Sequence, residues 1–436
     1  MDGYYAFMLI ATAFVLMMTV PALALFYGGM SRSKSVLNMM MMSYVAVAIV
    51  GILYVAVGWS MGFGGEGTFF HDPFDLLWLD GVTTDSYIGV MFQATFAIIT
   101  VALISGAVAD RMKFAAWVVF VPIWALLVYF PLAHMVFSCT EDSLICGRIG
   151  AQDYAGGTAV HINAGMAGLV LAILIGKRIG FGKEALRPHN LTLTMLGAGL
   201  LWMGWYGFNV GSIVFTGATD EENTAQFFSE TGRTFANTTL ATMAAILGWL
   251  LIEYLMHKKA TSLGAASGIV AGLVAITPAC GAVDIEGAVA IGAIAGAVCA
   301  WAVGLKYKLG YDDSLDVVGV HLVGGIIGTV LIGVFSTSEG AGGIDGLLYG
   351  GGFTSLGDQA LGALVAITFS GVLTLIIGLA IKYTIGLRLT EEDEVEGIDF
   401  SEHGETAYDF VSLSGSAPGT PSALAQSTAE SRGVNA

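Results

Sequence analysis

Two histidines, His161 and His321, lie within long apolar stretches of the sequence. The residues that follow them are Ile-Asn-Ala-Gly-Met-Ala-Gly and Leu-Val-Gly-Gly-Ile-Ile-Gly, so both have glycines at +4 and +7. Histidine can take up or release a proton near neutral pH. An ionisable side chain at membrane depth is costly and is usually functional. We therefore predict that this matched pair carries the chemistry of the protein, rather than packing as two buried core residues.

The composition is that of a polytopic membrane protein. Of the 436 residues, 56% are hydrophobic and only 12% are charged, against about 25% charged in soluble domains. The 60 glycines fit helices that pack closely in lipid. Much of the net charge of −17 comes from loops and from residues 391–409, and this acidity argues against nucleic acid as a partner. The first segment lacks the basic region of a cleavable signal.

Eleven apolar runs are long enough to cross a bilayer, which takes about 20 residues as a helix. The sequence thus predicts an all-α protein with eleven transmembrane helices, at residues 4–28, 36–63, 87–109, 114–137, 155–176, 191–215, 234–256, 262–279, 283–305, 315–336 and 357–386.

Basic residues predict the orientation of these helices, because lysine and arginine accumulate in cytoplasmic loops. The loops on one side carry only Arg148 and Arg233. The alternate loops carry Arg32, Lys34, Arg111, Lys113, Lys177, Arg178, Lys183, Arg187, Lys258, Lys259, Lys306, Lys308, Lys382 and Arg388. The N-terminus is therefore predicted to lie outside and the C-terminus inside, which requires an odd number of spans and agrees with eleven.

The histidines then occupy equivalent places in two halves. His161 lies on the fifth span and His321 on the tenth, so spans 1–5 and 6–10 would insert in opposite directions as an inverted repeat. Transporter sites form near the midplane of such repeats. Each histidine lies roughly 10 Å from one helix end at 1.5 Å per residue, and the glycines would let the two helices approach closely. The eleventh span has no partner in the repeat.

Other polar and aromatic residues allow more than one interpretation. Asp153 and Asp316 precede the histidines by eight and five residues, and either could cap its helix. Attraction of a cation is equally open for Asp153. Cys139 and Cys146 share one loop, and their spacing permits a disulfide on an oxidising side without requiring one. An aromatic cluster with one hydroxyl could bind a small cation or seal a pore; the candidates are Phe92, Phe96, Phe137, Phe208, Asn209 and Ser212.

Several motifs together resemble the ammonium transporter family (Amt/Mep/Rh), in particular its bacterial and archaeal Amt branch. They occur in family order over about residues 1–410. The matching motifs are Phe26-Tyr-Gly-Gly29, Phe92-Gln-Ala-Thr-Phe96, Asp153-Tyr-Ala-Gly-Gly-Thr-Ala-Val-His161, Gly204-Trp205-Tyr-Gly-Phe208-Asn209-Val-Gly-Ser212, Thr277-Pro-Ala-Cys-Gly281 and Asp316-Val-Val-Gly-Val-His321.

The resemblance implies a role for each matching residue. His161 and His321 would be the twin histidines of a pore, and Phe96 and Phe208 a stacked phenyl gate outside them. Ammonium, or its analogue methylammonium, would be recruited at Phe92, Phe137 and Ser212, above the carboxylate of Asp153. Supporting roles would fall to Trp205, Asn209 and Asp316. The implied function is ammonium transport across the cell membrane, with no enzymatic activity, metal or cofactor.

The resemblance also implies an assembly and a division of the chain. Family members are homotrimers, and many are closed by a PII-type signal protein that binds their cytoplasmic face. Residues 1–388 would form the transmembrane domain and residues 389–410 a cytoplasmic regulatory segment. The low-complexity residues 411–436 have no counterpart in the family and are predicted to be a disordered tail.

One departure from the family pattern concerns the outer site. Phe137 stands where the pattern usually has tryptophan, and it lacks the indole N–H and some cation–π strength. The following loop, residues 138–152, is longer than the pattern predicts and contains both loop cysteines. Recruitment of ammonium is therefore expected to be weaker here, or arranged differently.

Ammonium and potassium have similar charge and size, so we expect selectivity to come from removal of a proton. Ammonium would be deprotonated near the phenyl gate, ammonia would pass the histidines, and net charge movement is expected. Three alternatives remain open from the sequence: a sensor that transports little, a metalloenzyme or haem protein with histidine ligands, and a passive channel for gas or water.

Overall fold

The computed structural model describes residues 2–184 and 186–408, and the regular secondary structure of that part of the chain is helical, apart from two isolated bridges. Eleven long helices form the body of the protein. They are α1 (Gly3–Met30), α2 (Val36–Phe63), α3 (Thr84–Val108), α4 (Phe114–Phe137), α5 (Gly157–Ile175), α6 (Leu191–Val210), α7 (Asp220–His257), α8 (Ser262–Ile276), α9 (Ile285–Leu309), α10 (Val318–Phe335) and α11 (Thr354–Thr384).

These helices confirm the eleven predicted spans. Nine of the helices in the described residues are long and apolar enough to cross a membrane by composition alone. The other two are α6, which carries two threonines and Asn209, and α8, which has only 15 residues. An odd number of crossings places the ends of this helical body on opposite sides. The predicted tail at 411–436 lies outside the described residues.

The largest boundary difference is at α7, which begins at Asp220 and not at the predicted 234. The extension projects from the outer surface and starts with three consecutive acidic residues, so it does not resemble a membrane span. A capping box stabilises its first turn: Thr219 accepts from the backbone N–H of Glu222, whose carboxylate accepts from the N–H of Thr219. Local capping therefore continues the helix beyond the apolar region.

The two halves meet where α5 crosses α10. A Cβ on Gly165 would lie 2.7 Å from the Cα of Leu322, and one on Gly325 would lie 3.1 Å from the backbone nitrogen of Ile162. These glycines are the +4 residues of the two histidine segments, and each packs against the residue that follows the opposite histidine. The close approach predicted from the glycine spacing is thus confirmed, because a side chain at either position would separate the helices.

Both crossing helices begin with wide π-helical turns, Gly157–Ile162 and Val318–Leu322, and each turn contains one of the histidines. π-Helical turns occur frequently at functional sites. The matched turns direct both imidazoles to the helix crossing.

Helix α11 packs along the outside of the repeat. A Cβ on Gly371 would meet the Cε of Met166 at 2.7 Å, and the indole N–H of Trp124 donates to Thr374 at 2.9 Å. After α11 the chain turns back over the cytoplasmic face as two short helices, α12 (Glu391–Glu396) and α13 (Ile398–His403). The final described residues therefore contact the ends of the membrane helices.

The outer loop after α4 is closed by a disulfide between Cys139 and Cys146, whose Cα atoms are 4.9 Å apart. The loop is also held by the backbone N–H of Leu144, which donates to Thr68 at 3.2 Å, and by an ion pair between Arg148 and Asp142. The pairing that the spacing permitted is thus present, and the loop packs back onto the outer end of α4.

Candidate functional site

The histidine pair lies at the crossing of α5 and α10. The Nδ1 atoms of His161 and His321 are 3.2 Å apart, and both residues are buried. A ring N–H must face a ring lone pair at this distance, so one Nδ1 donates and the other accepts. The two Nε2 atoms then differ: in a neutral pair one carries a proton and the other does not. The Nε2 of His161 has no hydrogen-bond partner among the described residues.

The predicted supporting residues on α6 hold this pair in place. The indole of Trp205 stacks on His161 with ring centroids 5.4 Å apart, and its N–H donates to Thr277 at 2.7 Å. Asn209 donates to Thr238 at 3.0 Å. These bonds join α6 to α7 and to the end of α8, and they fix the indole that stacks on His161.

Phe96 and Phe208 form a stacked pair on the outer side of the histidines. Their rings are nearly parallel, with centroids 4.0 Å apart and an interplanar angle of 9°, and both are buried. His161 lies next to them, its ring centroid 6.3 Å from that of Phe208. The phenyl pair thus separates the histidines from the outer surface.

Below the phenyl pair, the two imidazoles line a cavity of about 10 Å³. That volume is close to the minimum that holds one water molecule. Its remaining lining is apolar or aromatic: Met18, Leu23, Phe26, Ile99, Leu103, Leu201, Trp205, Phe208 and Val270. This lining solvates a small neutral molecule far better than a bare ion, because buried charge without a partner is very costly.

Outside the phenyl pair, a much larger outer cavity of about 950 Å³ opens to the surface. Phe96, Phe137 and Ser212 all line it. The ring of Phe137 meets Phe96 edge-on at 6.3 Å, and the hydroxyl of Ser212 donates to the carbonyl of Phe208 at 2.8 Å. With its proton used in that bond, the Ser212 oxygen presents lone pairs to a donor. Phe92 is buried beside Phe96, at 4.9 Å between centroids.

Asp153 borders the outer cavity, but its carboxylate is used by the backbone. Its oxygens accept from the N–H groups of Gly156, Gly157 and Thr158 at 2.7–2.8 Å and from Ala159 at 3.2 Å. Burial raises the pKa of Asp153, and these N–H groups limit the rise. Of the two interpretations left open by the sequence, the geometry favours ordering of the first turn of α5 over direct contact with a cation.

The equivalent carboxylate in the second half is Asp313, which the sequence-based prediction missed. It accepts from the backbone N–H groups of Val317 at 3.1 Å and Val318 at 2.8 Å, and burial raises its pKa to about 6. The predicted capping residue, Asp316, instead has a left-handed φ of 64° and pairs with Lys306 at 2.6 Å. A signal existed: Asp313 precedes His321 by eight residues, as Asp153 precedes His161.

Eleven membrane helices in two inverted halves, surrounding a small apolar cavity, define a multi-pass membrane transport protein. Residues 6–408 match the model of the Ammonium Transporter Family, and the chain belongs to that family.

Similar proteins support the same membership. The chain is 52% identical over 449 residues to an ammonium transporter of Mycobacterium tuberculosis, covering 95% of this chain and 92% of that protein. The fold matches a solved structure named Sensor Amt Protein with a TM-score of 0.82 and 28% identity, covering 92% of this chain and 98% of the other. It matches Saccharomyces cerevisiae Mep2 with a TM-score of 0.78 and 31% identity, covering 89% and 90%. The named relatives are transporters and not enzymes.

Proposed function

We propose that this protein captures ammonium in the outer cavity, removes one proton, and conducts ammonia past the histidine pair into the cytoplasm. The observation that carries the proposal is the 3.2 Å contact between the two Nδ1 atoms inside a passage closed by the phenyl pair. Two proton-exchanging groups in series are of little use to a pore for intact ions. They suit a pore in which the proton and the neutral molecule separate.

Capture would take place at Phe137 and Ser212, with Phe92 supporting Phe96 from behind. A ring face attracts a cation by about 0.5–1 kcal/mol at exposed sites and more where water is excluded. Ser212 adds an acceptor that ammonium can donate to and potassium cannot. The site can therefore favour ammonium, although its two weak contacts alone would not exclude potassium.

Selectivity against potassium would then arise below the phenyl pair. An ion that enters must lose its hydration shell, and the apolar lining offers no replacement. Ammonium can avoid this cost by giving up a proton, whereas potassium has none to give. The passage thus admits ammonia and rejects the bare cation.

The released proton would follow the histidine pair. As ammonium passes the phenyl pair, it gives its proton to the free Nε2 of His161, whose ring lies next to Phe208. The shared proton moves from His161 Nδ1 to His321 Nδ1, and the Nε2 proton of His321 leaves towards the cytoplasm. Ammonia crosses separately and is reprotonated there, so one positive charge moves for each molecule transported. Each passage inverts both tautomers, and the pair must reset before the next.

Electrophysiology on full-length protein reconstituted in vesicles tests this function. We expect saturable, inward, ammonium-evoked currents, smaller currents with methylammonium, and none with potassium. A passive gas channel would give unsaturable flux without current, and a sensor would give little transport of any kind. Currents of equal size with potassium would contradict the deprotonation mechanism.

We also propose that the chain is a homotrimer whose cytoplasmic face binds a PII-type protein through the segment 389–410. Contacts of that segment support a relay role. Glu394 accepts from Arg388 and from the backbone N–H of Ile179, and Asp399 accepts from the N–H groups of Leu37 and Asn38. Movement of the segment would thus reach the ends of α2 and α5. A monomeric mass in native mass spectrometry would contradict the trimer, and unchanged currents with a cognate PII protein would contradict the regulation.

A further inference from the structure

The outer cavity contains a carboxylate that the proposed capture site does not use. Glu230 lies on the outer extension of α7 and lines the cavity. One of its oxygens accepts from the hydroxyl of Tyr154 at 2.8 Å, and the other accepts from the amide of Gln226 at 2.9 Å. A carboxylate has about four acceptor positions, so this half-buried group retains positions for another donor.

Its two partners hold Glu230 in a fixed place. Burial, and then the adjacent Glu230, raise the pKa of Tyr154 well above 10, so the phenol keeps its proton and donates. Tyr154 is itself fixed, because its backbone N–H donates to Pro278 at 3.1 Å. Gln226 is fixed by a second bond to the carbonyl of Val214 at 2.9 Å. The carboxylate is therefore positioned beside the cavity and not freely mobile in solvent.

The other charged side chains of the cavity are less able than Glu230 to attract a cation. Asp153 has four backbone donors and the positive end of α5 around it. Arg233 and Glu339, which also line the cavity, carry opposite charges. The cavity is thus lined by three carboxylates, of Asp153, Glu230 and Glu339, and by one guanidinium, of Arg233, so its net charge is negative.

We propose that Glu230 is a further recruitment residue for ammonium, acting by charge from the wall of the outer cavity. The proposal rests on the proposed transport function. It also bears on Phe137, whose phenyl ring offers no N–H and attracts a cation less strongly than an indole would. A fixed carboxylate in the same cavity would restore the attraction that this position lacks.

The test compares Glu230→Gln with Glu221→Gln in the reconstituted full chain. Glu221→Gln removes the same charge from the same helix extension, but Glu221 is exposed and does not line the cavity. For Glu230→Gln we expect the apparent KM for ammonium to rise about threefold to tenfold at low salt with an unchanged maximal current, and the rise to shrink at high salt. Glu221→Gln should behave as wild type, and Glu230→Asp should recover most of the affinity.

Three results would overturn the proposal. They are a KM shift no larger than that of Glu221→Gln, a shift that does not depend on salt, and a loss of maximal current without a change in KM. The last would indicate a structural role for the bonds to Tyr154 and Gln226. Wild-type protein without saturable current would reject the transport function itself, and this proposal with it. A saturable wild-type current with unchanged KM in Glu230→Gln rejects only the proposal.

Discussion

Replacing His321 with alanine is expected to reduce the ammonium-evoked current of reconstituted protein by about 100-fold, the lower range for loss of a positioned acid–base group. The reason is the single 3.2 Å contact between the two Nδ1 atoms. Without His321, a proton accepted by His161 has no neighbour to receive it. Ammonia itself can still pass without its proton, so a pH-sensitive dye inside the vesicles should report an alkalinisation in the variant that the wild-type protein, which delivers ammonia and a proton together, does not give.

His161→Asp tests the other side of the same pair. An aspartate accepts a proton but has no second ring nitrogen to pass one on, and its charge would attract cations into the passage. We expect the ratio of ammonium to potassium current to fall towards one. His257→Gln, an exposed histidine at the end of α7, is the control and should leave both currents unchanged. Wild-type currents and selectivity in both pore variants would show that the pair is not central.

The sequence predicted the fold well, because lipid imposes a simple requirement on each span. Apolar runs and the distribution of basic residues were enough for eleven helices and for the inverted repeat. The helix α7 extends beyond its predicted span at the start, where Asp220, Glu221 and Glu222 are too polar to belong to a span. Hydropathy reports only where a helix meets lipid, whereas a capping box such as that of Thr219 continues the helix into water.

The site could be predicted in its components and less well in its contacts. The repeated glycines indicated that the histidine helices approach closely, and the structure places the two imidazoles in contact. The second capping carboxylate, Asp313, could be recognised only because it precedes His321 by eight residues, as Asp153 precedes His161. The motif that ends at His321 begins with Asp316 and does not include Asp313. It is the carboxylate of Asp313 that accepts from the backbone N–H groups of the turn.

Contacts between segments that are distant in the sequence could not be predicted at all. Glu230 and Tyr154 are separated by 76 residues and lie on different halves of the repeat. No periodicity links them, because Glu230 is placed by α7 and Tyr154 by the segment before α5. The same holds for the segment after α11, whose Asp399 caps α2 across 361 residues. Only the packed structure brings these groups together.

Replacing Asp153 with alanine is expected to destabilise the protein by about 3–5 kcal/mol, because a hydrogen bond to a charged group contributes about 1.5–3 kcal/mol and a donor left without an acceptor adds a further cost. Four backbone N–H groups in the first turn of α5 donate to Asp153, and all four would lose their acceptor. Asp153→Asn keeps one acceptor oxygen and should lose about half as much. Thermal unfolding of the detergent-solubilised protein, followed by tryptophan fluorescence, measures both.

Asp142→Asn is the matched control, because Asp142 is exposed and pairs only with Arg148 among the described residues. Such surface pairs contribute at most about 1 kcal/mol. The two interpretations of Asp153 separate clearly in this series. If it orders the turn, the unfolding temperature falls from wild type to Asn to Ala, and any remaining current keeps its KM. If it attracts the cation directly, Asp153→Asn keeps wild-type stability and raises the KM, and the assignment to backbone ordering is wrong.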